Sequence, residues 1–468
     1  MALQNTRKSA AEIGAALRGA KRLFFIGIGG VHMASLALFA KAQGFEVSGS
    51  DRAAGEGTER LSRAGVRVYR GHDASNLGDA DAVIYTLALS PDNPEYGAAL
   101  ARGLPLFSRA DYLGYLMAAY PVRIGVSGSH GKSTVTAMLA EIFAGAGRSP
   151  TVFCGAPMPI GGTPLLVGKG GDFIFEACEY EDSFLSFSPT LAVVLNVAHD
   201  HADYFPTLSA VRASFKKFAD LPTAAGKVLY AAEDENAALA VRESPAARYS
   251  FGEGGEYAAR DVKMIGGCAQ FVLTALEKEL GEVTLCVPGR HNLQNALAAA
   301  GAAHLSGVPP LAICRALSAF RGASRRMEYR GSLRGARLYD DYAHHPDEIA
   351  ATLTAARDMA GGGRLFAVFQ SHTYTRTKAF FQEIAVALRL ADRVLVADIY
   401  PARERDMLGM SAAVLAAAVG ESATAEGGMD AIAATLSREL RAGDLCVVMG
   451  AGDIDRLFAR FSKKDFTL

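Results

Sequence analysis

The segment 127–134, which reads SGSHGKST, has the composition of a phosphate-binding loop. It follows the apolar run Arg123–Ser127, which predicts a β-strand, and it precedes a longer run that predicts a helix. In such a loop the backbone amides surround phosphate oxygens, a lysine adds positive charge, and a hydroxyl binds Mg²⁺. Lys132 and Ser133 occupy those two positions. The common pattern has a glycine six positions before the lysine, where this chain has Val126.

Acidic and imidazole side chains follow two later strand candidates. Because the carboxyl ends of parallel strands meet at one edge of a sheet, we expect these side chains beside the phosphate loop. A carboxylate and an imidazole at that edge could each hold Mg²⁺ near a phosphate. The strand candidates are Phe173–Ala177 and Leu191–Val197, and the side chains are Glu176, Glu179, Asp200, His201 and Asp203.

A second glycine-rich turn, 27–30, follows the strand candidate Leu23–Ile26. Glycines in this setting let the backbone approach a diphosphate, and the helix that follows offers unpaired amides. Asp51 ends the next strand, where a carboxylate can meet a ribose hydroxyl. His32 stands where the dinucleotide fingerprint has its third glycine, so the turn indicates a nucleotide diphosphate better than NAD. A tight turn of purely structural role explains the pattern equally well.

Two further regions combine polar groups. Asn292 and Asn295 are three residues apart at the start of a helical run, so both amides can project from one face and read a base edge. Capping of the helix by Asn292 is an equal alternative. Segments 340–346 (DDYAHHP) and 370–377 (QSHTYTRT) each place His, Tyr or Arg at a strand end, which predicts a second substrate site.

These residues need parallel strands to position them, and the chain has that pattern. Short apolar runs, glycine-rich turns and amphipathic stretches alternate, as in βα units. Shorter alternating runs between Tyr257 and Val287 predict a small antiparallel excursion. We therefore expect an α/β protein of three domains: a Rossmann-like domain (1–120), a P-loop-type parallel-sheet domain that binds ATP and carries the excursion (121–322), and a second Rossmann-like domain (323–468).

The composition of the 468 residues excludes several classes of protein. Half are hydrophobic and the formal net charge is −1, so no general attraction to nucleic acid or to an anionic membrane is expected. The first 21 residues lack the apolar stretch of a signal peptide, and no run approaches the length of a membrane span. The six cysteines form no CxxC pair, which is typical of free thiols. A cytoplasmic location is expected, and the oligomeric state is not indicated.

Seven motifs in this order resemble the Mur ligase family of bacterial cell-wall synthesis, over essentially the whole chain. They are the glycine turn with Met33 three residues after it, the GSHGKST loop, EACEY at 176–180, the run 200–203, GRHN at 289–292, DDYAHHP and QSHTYTRT. The resemblance implies an ATP- and Mg²⁺-dependent ligase with UDP-N-acetylmuramate and L-alanine as substrates. It implies that the N-terminal domain binds the UDP part, the central domain binds ATP, and the C-terminal domain closes over both.

The resemblance also implies roles for individual residues. For the metal it implies Ser133, Glu176 and His201. For ATP it implies Gly128, Ser129, His130, Gly131, Lys132, Ser133, Thr134, His291, Asn292, Asn295, Arg325, Arg326 and Asp341. For the UDP-sugar it implies Gly27, Gly29, Gly30, Val31, His32, Met33, Ser50, Asp51 and Tyr342. For catalysis it implies Lys132, Glu176, His201, His344, His372 and Arg376.

The chain departs from the family pattern at a few positions. Ser129 and Ser133 stand where threonine is frequent and keep the hydroxyl, Ser371 replaces a proline, and Thr373 replaces an arginine that would contact substrate. Three other functions compete with this one. A sister ligase would add a preformed peptide, a nicotinamide-dependent dehydrogenase would leave the Lys132 loop unexplained, and a nucleotide-sugar sensor would bind without turnover.

Overall fold

A computed structural model describes residues 5–201, 204–402, 404–462 and 464–467. The chain divides into two compact units. The first comprises the described residues within Met1–Ala198, Leu208–Glu256 and Ala298–Ala312, and the second those within His199–Thr207, Tyr257–Leu297 and Ile313–Leu468.

The first sheet of the first unit has five parallel strands in the order β3-β2-β1-β4-β5. The strands are β1 Arg22–Ile26, β2 Glu46–Asp51, β3 Arg67–Arg70, β4 Ala82–Tyr85 and β5 Leu106–Ser108. The helices of this part are α1 Ala10–Ala16, α2 Val31–Ala42, α3 Glu56–Arg63, α4 Pro94–Ala101 and α5 Arg109–Met117. Side chains of β1 and β4, among them Phe24, Ile26, Val83 and Tyr85, pack into one buried cluster. The glycine turn thus follows a strand fixed between two neighbours.

The second sheet of this unit carries the phosphate loop after its strand β6. Its strands are β6 Val122–Ser127, β7 Thr151–Phe153, β8 Leu165–Leu166, β9 Asp172–Glu176, β10 Leu191–Val194, β11 Lys227–Ala231 and β12 Ala247–Phe251. β6 lies between β9 and β10 and pairs with both in parallel, so their carboxyl ends lie at the same edge as the loop. The helices are α6 Lys132–Gly145, α7 Leu208–Ala219 and α8 Glu235–Val241.

The second unit begins its sheet structure with an antiparallel meander. It consists of β13 Tyr257–Ile265, β14 Cys268–Ala275 and β15 Lys278–Pro288, and it confirms the predicted excursion. Two helices follow, α9 Arg290–Leu305 and α10 Pro310–Ala319.

A mixed seven-stranded sheet forms the rest of the second unit, in the order β20-β19-β18-β21-β17-β16-β22. The strands are β16 Glu328–Leu333, β17 Ala336–Asp341, β18 Leu365–His372, β19 Arg393–Tyr400, β20 Ala423–Gly427, β21 Leu445–Met449 and β22 Phe466–Thr467. The helices are α11 Pro346–Ala360, α12 Tyr374–Ala379, α13 Phe381–Leu388, α14 Ala412–Val419 and α15 Met429–Glu439.

Alternate residues of β18 belong to two separate hydrophobic clusters. Ala367 and Phe369 pack into one, while Phe366 and Val368 pack into the other. Because successive side chains of a strand point to opposite faces, this sheet is buried on both sides. A strand that is buried on both faces is a continuous apolar run in the sequence, and such a run predicts a strand.

The expected α/β class is confirmed, with parallel sheets in the N-terminal and central parts and a mixed sheet in the C-terminal part. The sequence did not predict eight strands, several of which are short or partly polar: β5, β7, β8, β11, β12, β16, β20 and β22. No helix in the described ranges is both long and apolar enough to cross a membrane. The six cysteines all lie in described segments and all are free thiols.

Candidate active site

The phosphate loop joins β6 to α6 and depends on two glycines. Gly128 has a φ of 151° and Gly131 a φ of 87°. Only glycine adopts such angles without strain, and a Cβ on Gly128 would lie 2.8 Å from the Cβ of Leu195. Gly131 is the N-cap of α6. The amides of the first turn of α6 therefore have no acceptor within the helix and carry its positive dipole end, which suits a phosphate.

Asn196 fixes the conformation of the loop. Its carbonyl oxygen accepts from the Ser129 amide at 3.1 Å, and its side-chain oxygen accepts from the His130 amide at 2.8 Å. Its side-chain amide donates to the His130 carbonyl at 3.0 Å. The Ser129 hydroxyl accepts from the Ala198 amide at 2.9 Å. Ser129 and His130, both predicted to bind ATP, thus have amides that hold the loop in shape.

The Lys132 ammonium lies over its own loop. It donates to the carbonyls of Gly128 and Ser129 and to both carboxylate oxygens of Glu179, at 3.1 and 2.9 Å. The Lys132 side chain is 17% exposed and that of Glu179 only 2%. Burial alone would lower the pKa of Lys132, but the Glu179 carboxylate, together with Cys178 and Glu176, outweighs burial and raises the pKa to about 12. Lys132 therefore stays positively charged at neutral pH.

Two of the three predicted metal ligands lie in the same unit near this loop. Glu176 ends β9 opposite Val126 of β6, and its buried carboxylate accepts from the amide of Gly155. Ser133 lies in the first turn of α6 and is also buried. A hydroxyl and a carboxylate are hard oxygen donors that fit Mg²⁺. The third, His201, belongs to segment 199–207 of the other unit, and Asp203 lies outside the described residues.

Hydrogen bonds to the end of β2 hold the glycine turn of the first sheet in its conformation. The amides of Gly27 and Ile28 donate to the Ser50 carbonyl at 2.9 and 3.0 Å, and the Gly29 amide donates to the Asp51 carboxylate at 2.8 Å. A Cβ on Gly29 would lie 2.8 Å from Cγ2 of Thr58 and 2.9 Å from that carboxylate, so a side chain there would displace one or both of them. Asp51, predicted to meet a ribose, holds this turn. The turn ends at Gly30, the N-cap of α2.

The remaining residues predicted to bind the UDP-sugar differ in their surroundings. Ser50 is buried, and its hydroxyl donates to the buried Glu95 carboxylate at 2.6 Å, away from solvent. At the start of α2, Val31 is exposed while Met33 is buried. The Nε2 atom of His32 is buried with no hydrogen-bond partner among the described residues. Burial lowers the pKa of His32 to about 4, and the nearby Arg109 acts in the same direction.

In the second unit, Asn292 and Asn295 share one face of α9, as their spacing predicted. Both are buried, and the Asn295 side chain donates to the Asn292 side-chain oxygen at 3.0 Å. The Asn292 side chain donates to the Pro288 carbonyl at 2.7 Å, so it does not cap the helix through its oxygen. His291 beside them has a pKa lowered to about 4 by burial and by Arg326.

Arg325 and Arg326, both predicted to bind ATP, have different partners. The Arg325 guanidinium donates to the carbonyls of Gly450 and Gly452, at 2.7 and 3.2 Å, and lies 3.3 Å from the Asp340 carboxylate. The guanidinium groups of both arginines lie over the ring of Tyr342, that of Arg325 5.2 Å and that of Arg326 5.1 Å from its centroid, and Arg326 also lies 3.9 Å from the Glu348 carboxylate. Arg325 thus fixes the chain after β21.

Asp341 at the end of β17 has its carboxylate occupied by three protein donors. It accepts from the amides of Met327 and Ala343, at 2.7 and 2.8 Å, and from the Thr352 hydroxyl at 3.2 Å. Asp341 was predicted to bind adenosine. Its position shows that it also connects β17 to α11.

Four aromatic rings at the carboxyl ends of β17, β18 and β19 form a continuous row. The ring centroids of Tyr342 and His344 are 5.6 Å apart, those of His344 and His372 6.2 Å, and those of His372 and Tyr400 5.6 Å in a stacked arrangement. Burial lowers the pKa of both histidines to about 4. Both imidazoles are therefore neutral at neutral pH and can act as hydrogen-bond donors or acceptors.

Arg376 follows this row in α12 and forms an ion pair with Asp200 at 3.0 Å. Burial would raise the pKa of Asp200, but His201 and Arg376 hold it well below its usual range. Thr373, which replaces an arginine of the family pattern, has a φ of 65°, and its hydroxyl accepts from the Arg376 amide at 3.4 Å. Thr373 therefore sets the start of α12, whose cations are Arg376 and Lys378.

Sequence reasoning missed several residues that act around these groups. Glu179 was noticed but not paired with Lys132, and Asn196, Arg109 and Tyr400 were not singled out. Asn196 had a signal, since it is a polar residue within an apolar run. The partners of Glu179 and Tyr400 depend on tertiary packing, for which the local sequence carries no signal.

Comparisons with known proteins agree with this arrangement of loops. Three family models match: "Mur ligase family, catalytic domain" at residues 22–121, "Mur ligase middle domain" at 126–303, and "Mur ligase, glutamate ligase domain" at 325–452. A UDP-N-acetylmuramate–L-alanine ligase of Caldicellulosiruptor bescii is 39% identical over 449 residues, which is 95% of this chain and 98% of that protein.

Two solved structures are similar over nearly their full lengths. The UDP-N-acetylmuramate–alanine ligase of Thermotoga maritima has a TM-score of 0.81 and 28% identity, over 95% of this chain and 98% of that one. A murein peptide ligase from Psychrobacter arcticus has a TM-score of 0.72 and 25% identity, over 94% and 98%. The phosphate loop, the strand-end residues and these matches along the chain lead to one conclusion: this chain belongs to the Mur ligase family.

Proposed function

We propose that this chain is an ATP-dependent ligase that joins L-alanine to the carboxylate of UDP-N-acetylmuramate, a step in making peptidoglycan precursors. The observation that carries the proposal is the Lys132 ammonium at the start of α6, with the buried carboxylates of Glu176 and Glu179 beside it. This set of groups suits transfer of a phosphoryl group, and relatives 39% identical over most of the chain are named for this reaction.

The chemistry requires activation of the carboxylate. A carboxylate is a poor electrophile, so ATP first phosphorylates it to an acyl phosphate, and the amine of alanine then attacks while phosphate leaves. Each step brings anions together, and fixed positive charges lower the cost of doing so. Lys132 supplies one such charge at the phosphates. Arg376 supplies a second, near the reacting end of the substrate.

Magnesium belongs to the proposal as well. Ser133 and Glu176 would hold it beside the loop, and His201 would be a further ligand. When bound, the metal would neutralise phosphate charge during transfer. The hydroxyl and carboxylate oxygens of Ser133 and Glu176 are the donors that support this assignment.

The neutral histidines His344 and His372 suit the second half of the reaction. An alanine amine must lose a proton to become nucleophilic, and an uncharged imidazole can accept a hydrogen bond from it. We assign both histidines to the end of the site where the amine attacks.

We also propose the division into domains 1–120, 121–322 and 323–468, with the last domain closing over ATP and substrate to exclude water from the acyl phosphate.

The test is phosphate release from ATP and Mg²⁺ with UDP-N-acetylmuramate and a panel of amino acids and short peptides. We expect release only when the sugar nucleotide and L-alanine are both present. Lys132→Ala should lower the rate at least a hundredfold, because it removes a charge at the phosphates. Lys216→Ala, at an exposed surface ion pair, is the matched control and should keep the rate.

The similarity to a murein peptide ligase favours one second candidate, a ligase that adds a preformed peptide to the same sugar nucleotide. The same panel separates the two. Turnover with a tripeptide but not with alanine would replace the proposal by this candidate. Tight binding of ATP and UDP-N-acetylmuramate without any turnover would indicate a nucleotide-sugar sensor.

ATP and UDP-N-acetylmuramate are both cytoplasmic metabolites, so we place the reaction in the cytoplasm.

A further inference from the structure

The partners of Lys132 include one that a nucleotide must displace. The ammonium has three hydrogens, and the structure gives it four acceptors: two carbonyls of its own loop and both oxygens of the Glu179 carboxylate. Any phosphate that approaches Lys132 competes with these acceptors. Glu179 is the only one of them with a negative charge.

We infer that Glu179 is an internal competitor of the nucleotide phosphates for Lys132 and thereby sets how tightly the loop binds nucleotide. The inference rests on the proposed function and deepens it, because it gives Glu179 a role in setting nucleotide affinity in addition to its place beside Lys132. It follows from the positions of the two side chains and from their burial.

Burial makes the competition strong. The Glu179 side chain is 2% exposed, so neither water nor salt screens its charge effectively. A nucleotide that reaches Lys132 brings several negative charges to within a few ångströms of this carboxylate. The bound phosphates therefore lose part of the attraction of Lys132 to repulsion from Glu179.

The ion pair between Lys132 and Glu179 also gives a reason for a buried carboxylate at position 179. A buried ammonium without a counter-charge is unfavourable, and the Glu179 carboxylate offsets part of that cost whenever no phosphate is present. The protein thus gains a stable, charged lysine and accepts weaker nucleotide binding.

The experiment measures the Kd of a fluorescent ADP analogue in EDTA, which separates the effect from any metal. Glu179→Gln keeps the shape and one oxygen acceptor but removes the charge, and we expect its Kd to fall roughly tenfold, the difference between a charge-assisted and a neutral hydrogen bond. Glu179→Asp keeps the charge on a shorter side chain, and its Kd should lie between the two.

Two controls make the result specific. Glu243→Gln removes an exposed glutamate that pairs with Lys216 at 3.3 Å, and its Kd should equal that of the wild type. In a Lys132→Met background, Glu179→Gln should no longer tighten binding through the ammonium, so its gain should shrink. Thermal unfolding of each variant checks that the fold is kept.

The outcomes are separable. If the wild type binds the analogue and Glu179→Gln binds it no more tightly, the competitor role is wrong while the proposed ligase stands. An equal gain with and without Lys132 would also contradict the inference, because the effect would then be general repulsion. If the wild type binds no nucleotide at any concentration, the proposed function itself fails.

Discussion

At the scale of single residues, Arg325 and Arg326 show how neighbours in sequence can divide structure and function. Both lie against the ring of Tyr342, but Arg325 also donates to two backbone carbonyls and pairs with the fully buried Asp340, whereas Arg326 lies 3.9 Å from the Glu348 carboxylate. Burial raises the pKa of Asp340 to about 7 in spite of the nearby arginines, so this carboxylate depends on its partners. The sequence alone could not distinguish the two arginines.

We predict that replacing Arg325 by alanine mainly affects stability and that replacing Arg326 by alanine mainly affects ATP binding. Arg325→Ala leaves Asp340 short of one of its partners and should lower the free energy of unfolding by about 3 kcal/mol or more. Arg326→Ala removes contacts with the Tyr342 ring and with the Glu348 carboxylate at 3.9 Å, so we expect a smaller loss of that free energy, together with a higher KM for ATP from the binding role proposed for it. Urea denaturation and steady-state kinetics on both variants check this. A destabilised Arg326→Ala with normal KM would reverse the assignment.

At the scale of elements, the phosphate loop is held from one side by the segment that follows β10. Asn196 makes three hydrogen bonds to the loop, and Gly128 lies too close to Leu195 for any side chain. The sequence identified the loop because glycine, lysine and serine form a local pattern. It could not identify Asn196 as the partner, because strand order is decided by packing and not by the local sequence.

We predict that Asn196→Ala weakens nucleotide binding without contact to the nucleotide. The loop loses two side-chain hydrogen bonds, each worth about 1 kcal/mol, so we expect a Kd roughly ten to thirty times higher. Titration with the fluorescent ADP analogue measures it. Asn196→Asp keeps the acceptor for the His130 amide and should lose less affinity. Equal losses in both variants would mean that the acceptor does not matter.

At the scale of the whole molecule, buried histidines make the fold sensitive to acid. Burial lowers the pKa of His32, His291, His344 and His372 to about 4, compared with 6.5 for the unperturbed group. Between these values the unfolded chain binds protons that the folded chain does not. The stability these groups contribute is therefore complete above pH 6.5 and declines as the pH falls toward 4.

The predicted decline is up to about 1.4 kcal/mol per pH unit for each of these histidines. Urea denaturation at pH 7.5, 6.0 and 5.0 measures it. His344→Gln should make the slope of unfolding free energy against pH shallower by about one proton. A slope unchanged in this variant would show that His344 does not contribute.

The three scales differ in how far the sequence predicted them. The α/β class, the antiparallel meander and the two glycine turns followed from local patterns such as apolar runs and glycine positions. The separate roles of Ser50, Asp51 and Arg325, whose polar groups bind other parts of the chain, did not. A sequence motif indicates which residue types come together. The tertiary structure determines which of their polar groups are already hydrogen-bonded to other parts of the chain.

The hydrogen bonds of Asn196 also bear on the speed of nucleotide capture. Because the loop backbone is already ordered by the fold, little conformational entropy remains to be lost there when a nucleotide arrives. The change required at Lys132 is an exchange of side-chain partners, with the loop backbone left in place. The first phase of association should therefore need no rearrangement of the loop, and a slower second phase would report the proposed domain closure.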